Sequence, residues 1–286
     1  MSKIIFLSFI AAIMIIAAIL ISSYISAIVI FQDNFTTSGG FINSTPNRAR
    51  WEFGNVTQTG AGGCYSGSGC WKTNLTGNYL EANLNASIIL NVPVNLSLYL
   101  TANISFWHYR KFEDINAQYD CGVLDINATN VTKSGIWTRI SPIGGYTGKC
   151  VGTSGLLNQL SYGLQGDGWE FAVFNITNYT NNDFIKTRFF FQTDTYGVDR
   201  GWSVDNFKIE GEPLPCTYVS GMGNWDIDCN CNLTRNTNLL GNNITINGTG
   251  TMLITGNITN WKKVNIFGKN VTNKCIIRCT KGGCFR

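Results

Sequence analysis

The sequence predicts an all-β protein: an antiparallel β-sandwich of the jelly-roll kind, followed by a small cysteine-rich β unit. Three observations carry that expectation. Apolar and polar residues alternate with period two in segments separated by Gly, Asn and Asp clusters, the pattern of half-buried strands. Beyond the N-terminus no segment sustains a helical period. At Glu212-Pro213-Leu214-Pro215 the composition changes, and six of the ten cysteines lie in the last 71 residues.

Residues 1–27 come first. Lys3 precedes an apolar run from Ile4 to Ile21, broken only by Ser8, which passes into Ser22-Ser23-Tyr24-Ile25-Ser26-Ala27. One positive charge, a long apolar stretch and a small-residue end form the layout of a secretory signal, with cleavage after Ala27. The same run is long enough to span a bilayer as an uncleaved anchor. Lys3 would then stay inside and everything after Ala27 would be outside. Both readings predict export, either as a secreted chain or as one held at the cell surface by a single N-terminal transmembrane segment.

Residues 28–212 read as strand almost throughout. In 98–108, Leu98, Leu100, Ala102, Ile104, Phe106 and His108 share one face. Tyr99, Thr101, Asn103, Ser105, Trp107 and Tyr109 share the other. Further strands are expected at Ile28–Phe35, Ser87–Val92, Gly122–Asn127, Trp137–Ile140, Glu170–Ile176, Thr187–Thr193 and Trp202–Ile209. Many short strands with turn signals and no helix imply a sandwich or jelly roll. Residues 213–215 read as a linker, because proline cannot donate to a ladder. In 216–286 the apolar pairs Ile244/Ile246, Met252/Ile254 and Val264/Ile266 are separated by Gly and Asn. That spacing suggests one or two rungs of a short β-solenoid. So few rungs bury little surface alone, so disulfides, the first domain or another chain must support them.

The ten cysteines fit an oxidising compartment. Cys64, Cys70, Cys121 and Cys150 lie in the first part; Cys216, Cys229, Cys231, Cys275, Cys279 and Cys284 lie in the second. Both sets are even, so each part can close its own disulfides. Cys64 and Cys70 bracket Tyr-Ser-Gly-Ser-Gly, a loop that a disulfide would pin, and Cys121 with Cys150 is the expected second pair. The six later cysteines leave the pairing open. Zinc is disfavoured, since paired C-x-x-C spacing and a local His are both missing.

Sixteen Asn-X-Ser/Thr triplets point to the same compartment. Their acceptors are Asn34, Asn43, Asn55, Asn74, Asn85, Asn95, Asn103, Asn127, Asn130, Asn175, Asn178, Asn232, Asn243, Asn247, Asn257 and Asn270. Random placement of 33 Asn and 46 Ser plus Thr would give roughly five. Such triplets are surface glycosylation acceptors in an exported protein. Charged residues make up only 13% of the chain, and attached glycans would supply the polar surface they do not. Net charge is +4, unevenly spread: residues 28–215 hold 12 basic and 15 acidic side chains, and 216–286 hold 8 and 2. Export and this modest charge exclude nucleic acid as the expected partner.

Catalysis is poorly supplied. His108 is the only histidine, and its alternation places it with Leu100, Ile104 and Phe106, at the edge of a core. No H-E-x-x-H and no G-x-S-x-G occurs. Glu81, Glu113 and Glu170 are scattered in sequence, without the E-x-D-x-x-E spacing of some β-sandwich glucanases. No catalytic residue and no enzymatic activity are therefore expected. Asp33 and Asp205 are more informative. Asp33 shares parity with Phe31 and Phe35, and Asp205 with Phe207 and Ile209, so each carboxylate is expected on the apolar side of its strand. An unpaired buried carboxylate is costly. Two of them on neighbouring first and last strands would want a cation, and Ca²⁺ suits hard oxygen ligands. The alternative is that each Asp caps a turn or pairs with Arg188 or Arg200.

The ordered landmarks Phe31-Gln32-Asp33-Asn34-Phe35, Gly69-Cys70-Trp71, Ile104-Ser105-Phe106-Trp107-His108, Cys121-Gly122-Val123-Leu124-Asp125-Ile126, Trp137-Thr138-Arg139-Ile140, Arg188-Phe189-Phe190-Phe191 and Gly201-Trp202-Ser203-Val204-Asp205-Asn206-Phe207-Lys208-Ile209 form a recognisable series. It resembles MAM-like domains and the jelly-roll adhesin modules found beside secreted metallopeptidases. The resemblance spans about residues 28–212 and implies a concanavalin-like sandwich serving adhesion or substrate binding. It also implies a structural calcium at Asp33 and Asp205. The peptidase zinc motif is missing, so no protease activity carries over. Residues 216–286 resemble terminal segments of archaeal surface proteins. The expected function is thus an exported, glycosylated recognition or adhesion protein whose partner is carbohydrate or protein at the cell surface. A structural subunit of a surface coat or filament is the first alternative, and a secreted carbohydrate-active enzyme is the second.

Overall fold

A computed structural model describes residues 27–44, 51–80, 85–113, 116–129, 136–152, 155–180, 184–268, 275–279 and 284–286. The expected export segment in residues 1–26 lies outside them. No helix of the described residues is long and apolar enough to cross a membrane.

The strands of the first part are β1 (Ile28–Asp33), β2 (Phe41–Asn43), β3 (Glu52–Gly54), β4 (Cys70–Lys72), β5 (Asn85–Leu90), β6 (Asn103–Lys111), β7 (Cys121–Thr129), β8 (Trp137–Arg139), β9 (Gly148–Lys149), β10 (Leu160–Ser161), β11 (Gln165–Asn175), β12 (Phe184–Gln192) and β13 (Gly201–Gly211). One sheet runs β11-β6-β13-β4-β3, with β1 also on β13; the facing sheet runs β2-β5-β12-β7-β8. Every pairing in both is antiparallel. The two sheets form an antiparallel jelly-roll sandwich. Their inner faces meet in an aromatic core that includes Trp51, Phe106, Phe189, Trp202 and Phe207. Alternation explains it: Ile104, Phe106 and His108 of β6 are buried on one side, and Leu124 and Ile126 of β7 meet them from the other sheet.

Two expectations are corrected. β6 begins at Asn103 rather than Leu98, and Leu100 is exposed while Tyr99 joins the core. Alternation fails there because the chain turns, with the Tyr99 amide donating to Leu96 O. The 213–215 segment is also not free of ladder contacts. Leu100 N donates to Glu212 O and Leu214 N donates to Leu98 O. Proline removes a donor only at its own position, so Leu214, between Pro213 and Pro215, still holds the edge.

The second part consists of β14 (Trp225–Asp228), β15 (Asn232–Leu233), β16 (Thr237–Asn238), β17 (Ile244–Asn247), β18 (Gly250–Ile254), β19 (Ile258–Thr259), β20 (Val264–Phe267) and β21 (Cys275–Cys279). All pairings are now parallel: β14-β17-β20, β15-β18-β21 and β16-β19. This is a small β-helix of three rungs, where the apolar pairs suggested one or two. Phe285 closes the third side by a parallel bridge to Ile258. Ile227, Leu233, Ile244, Ile246, Met252, Ile254 and Ile258 fill the interior. Disulfides join Cys64–Cys70, Cys121–Cys150, Cys216–Cys231, Cys229–Cys275 and Cys279–Cys284.

Candidate functional site

The outer face of the β11-β6-β13 sheet carries an aromatic shelf. Since Phe106 and His108 point into the core, alternation sends Trp107 and Tyr109 outward. Strand β11 lies antiparallel beside β6 and sets Phe171 opposite Trp107 and Trp169 opposite Tyr109. The loop before Cys70 folds over this row. Tyr109 OH donates to Gly60 O at 2.9 Å and Trp169 Nε1 donates to Gly62 O at 3.3 Å. Gly62 has φ +76°, and a Cβ there would sit 3.0 Å from the Tyr109 ring, so glycine lets the loop lie flat. The Cys64–Cys70 bridge fixes the loop. As a result Tyr65 stacks on Trp107, with centroids 4.0 Å apart and an 11° interplanar angle, and meets Trp169 edge-on at 5.8 Å. Trp107 also packs on Phe171 at 5.2 Å. Tyr65 remains 40% exposed and Phe171 53% exposed. Two rings are thus offered to solvent on an indole backing. Sequence reasoning placed Trp107 and Tyr109 on this face but missed Tyr65, Trp169 and Phe171. The signal available was the cysteine-bracketed tyrosine.

Asp205 anchors that loop. Its Oδ2 accepts from the Ser66 amide at 2.9 Å and its Oδ1 from the Asn206 amide at 2.7 Å. Ser66 Oγ also donates to Asn206 Oδ1 at 2.9 Å. The expected parity of Asp205 with Phe207 is corrected. A bulge separates them, with Asn206 at φ +49°, so Asp205 pairs across from Trp107 on the outer face while Phe207 enters the core. Asp33 keeps its expected parity, paired across from core-facing Phe207, and its carboxylate also takes backbone amides: its Oδ1 accepts from Phe35 N at 2.9 Å and its Oδ2 from Gly40 N at 2.8 Å, closing the 34–40 turn. Burial raises the Asp205 pKa; amides of Ser66, Asn206 and Tyr65 oppose the shift, and the Asp33 charge adds to it. Neither carboxylate has an ion-pair partner among the described residues. Arg188 goes to Asp125 and Arg200 to Asp199. Calcium takes six to eight oxygens. This pair supplies four, each already accepting from or lying beside an amide, so the side chains fit such an ion in part. A different group, Glu113, Asp120 and Asp194, brings three carboxylates within 4.8 Å of one another.

His108 is fully buried. Trp202 Nε1 donates to its Nδ1 at 3.2 Å, so the ring proton sits on Nε2. Burial, aided by the Arg110 charge, lowers its pKa to about 3. It is therefore neutral, and its 4.0 Å approach to Glu170 is no ion pair. Glu170 instead receives both bonds of Arg110 Nη2, at 2.9 and 2.7 Å. Asp120 is shifted the other way, up to about 6, chiefly by burial. The signs follow from linkage. A depressed histidine pKa gives stability that is full above the unfolded value near 6.5 and is lost as pH falls toward 3. A raised carboxylate pKa gives stability gained as pH falls through 6. From pH 7 to about pH 4 these amount to roughly 3 kcal/mol lost and 2 kcal/mol gained. The wild type should thus lose about 1 kcal/mol and His108→Gln should gain about 2 over that interval. Urea titrations at both pH values check this, and parallel slopes for the two proteins would contradict it.

Of the sixteen glycosylation acceptors, Asn130 and Asn270 lie outside the described residues. Among the other fourteen, eight are exposed, six are half-buried and none is buried. Glu81 likewise lies outside the described residues.

No family model matches the chain, and no curated protein does. Solved structures share the sandwich at low similarity. The CBM22-1 xylan-binding domain from Paenibacillus barcinonensis Xyn10C is 10% identical over 66% of this chain and 97% of its own, with a TM-score of 0.39. The K1 cleaved adhesin domain of Lys-gingipain from Porphyromonas gingivalis W83 is 14% identical over 63% and 97%, at 0.35. The mannan-recognising module TmCBM27 is 9% identical over 65% and 98%, at 0.34. Likenesses this loose bear on neither ligand nor site.

Proposed function

We propose that the protein is an exported, glycosylated recognition module of the cell surface that binds carbohydrate and carries out no catalysis. The aromatic shelf carries this reading. Two solvent-facing rings pack on Trp107: Tyr65, stacked flat on it by a disulfide-closed loop, and Phe171, tilted against it from strand β11. Pyranose rings present apolar C–H faces, and rigid aromatic surfaces bind them at low entropic cost. The adhesin-like order of short motifs in residues 28–212, ending on Asp205-Asn206-Phe207-Lys208-Ile209, supports the same class. Five disulfides and fourteen accessible acceptor asparagines support export. Tyr65→Ala and Phe171→Ala should each weaken retention by immobilised neutral polysaccharide about tenfold, or 1.4 kcal/mol. Melting temperature should barely move, since both rings are exposed. Unchanged retention in both variants would sink the reading.

Asp33 and Asp205 are further read as part of a calcium site that would relieve their mutual repulsion and tie β1 to the shelf loop. Hundredfold excess of Ca²⁺ over its dissociation constant should stabilise by about 2.7 kcal/mol. Chelation should therefore lower the melting temperature by roughly 5–10 °C. No shift, with no metal by elemental analysis, would end the idea. The coat-subunit reading draws on the last β-helix rung, where Ile266, Phe267 and Ile276 are exposed on parallel strands. Such an edge invites strand addition.

A further inference from the structure

The outer face of the second sheet holds a separate cluster. Register aligns Ile42, Ile89, Arg188, Asp125 and Arg139 in one row across β2, β5, β12, β7 and β8. Leu124, Ile126 and Phe189 point into the core, so this row points outward. Asp125 is buried beneath its two arginines. Arg188 donates to its Oδ2 through Nη2 at 2.6 Å and Nε at 3.2 Å, and Arg139 Nε donates to its Oδ1 at 3.3 Å. The Arg188 guanidinium lies 4.6 Å from the Trp137 ring centroid and 4.9 Å from that of Phe190. Arg139 Nη1 bonds Gln159. Among the described residues, Arg188 Nη1 and Arg139 Nη2 donate to nothing, and the two side chains keep 22% and 23% exposure.

The charge on this face is out of balance. An ion-pair staple is complete with one arginine on one carboxylate. Here Arg139 and Arg188 share Asp125, and Lys186, in the adjoining row with Asn127 and Trp137, adds a third cation without an ion-pair partner among the described residues. This positive strip sits on a region, residues 28–215, that has three more acidic than basic residues. A guanidinium fixed against an indole keeps its fork in one plane, suited to a planar carboxylate, and the indole itself is a surface for a sugar ring.

We infer that this face is a binding subsite for an anionic pyranose, a uronate residue of an acidic polysaccharide. Its carboxylate takes the unused N–H groups of Arg188 and Arg139, and its ring lies against Trp137. The subsite is on the opposite face of the sandwich from the Tyr65 shelf and stands independently of it.

The full chain is tested by calorimetry against oligogalacturonate, its methyl ester, and a sulfated neutral oligosaccharide. Because Asn127 lies beside Trp137, the wild type is run together with Thr129→Ala, which removes that glycosylation acceptor without altering Asn127. The acid form should bind at least one of these two proteins, and the methyl ester should bind about tenfold more weakly or worse. Trp137→Ala and Arg139→Gln should each weaken the acid form about tenfold, whereas Tyr65→Ala should leave it unchanged. Arg188→Lys, which keeps the charge and loses the fork, should weaken it while leaving the fold intact by circular dichroism. The inference is overturned if acid and ester bind alike, if neither protein binds the acid, if the sulfated sugar binds better than the uronate, or if Trp137→Ala has no effect. Loss of neutral-sugar retention in Tyr65→Ala with uronate binding intact separates this subsite from the shelf.

Discussion

Replacing Cys229 and Cys275 by alanine is expected to unfold residues 216–286 and leave the sandwich standing. The bridge ties the corner after β14 in the first rung to the first residue of β21 in the third, with a sequence separation of 46. By chain entropy, closing a loop of that length contributes about 4 kcal/mol. The β-helix interior rests on a short row of aliphatic side chains, the rings of Tyr218 and Trp225, and two buried sulfurs, Cys229 and Cys231. A unit of about 70 residues seldom holds more than 3–5 kcal/mol in its core. Removing the bridge therefore cancels most of its margin. Parallel strands add to the vulnerability, since each rung is paired only after a long connection has closed. Limited proteolysis should cut the variant within 216–286 and spare 28–212. Protection of both parts at wild-type level would refute the claim that this single bridge sustains the β-helix.

Trp202→Ala should be the most damaging single substitution in the sandwich. Trp202 is fully buried. Its ring packs within 6.3 Å, centroid to centroid, of Trp51, His108, Phe112, Tyr162 and Phe189. It also spans the layers. A Cβ on Gly122 of β7, in the opposite sheet, would lie 2.5 Å from the indole. Large-to-small changes at such sites cost about 3–5 kcal/mol. Losing the Nε1 donor leaves the buried His108 Nδ1 unsatisfied, which costs about 1–3 kcal/mol more. A fall in melting temperature of roughly 10–20 °C follows for a domain of this size. A fall of less than about 3 °C would show that the core collapses around the gap and that the inter-sheet contact is dispensable.

Some of this was legible beforehand because it is local. Alternation along 103–109 sorts Phe106 inward and Trp107 outward, since side chains on a strand must take opposite faces. The inward turn of His108 follows from the same count, though it is fully buried rather than at the core edge. The Asp205 parity did not survive, because one extra residue at Asn206 shifts the strand by half a period, and a bulge leaves no clear trace in hydrophobicity. The number of rungs fell short for a similar reason: Val264/Ile266 marks β20 of the third rung, but the next strand of that rung carries no such mark. β21 (Cys-Ile-Ile-Arg-Cys) is a partly exposed strand that shows no apolar alternation and is paired only through β18.

By itself the sequence determined the all-β class, the change at Pro213–Pro215, the oxidisable cysteines and the density of acceptor asparagines. These follow from period, composition and spacing, which act within a few residues. Only the tertiary structure decided which aromatics share the shelf, where the two aspartates direct their oxygens, and that Arg188 lies between Trp137 and Phe190. Those are matters of register and loop closure between strands far apart in the chain. Many registers can satisfy one alternation, and the packed core selects the one that is realised.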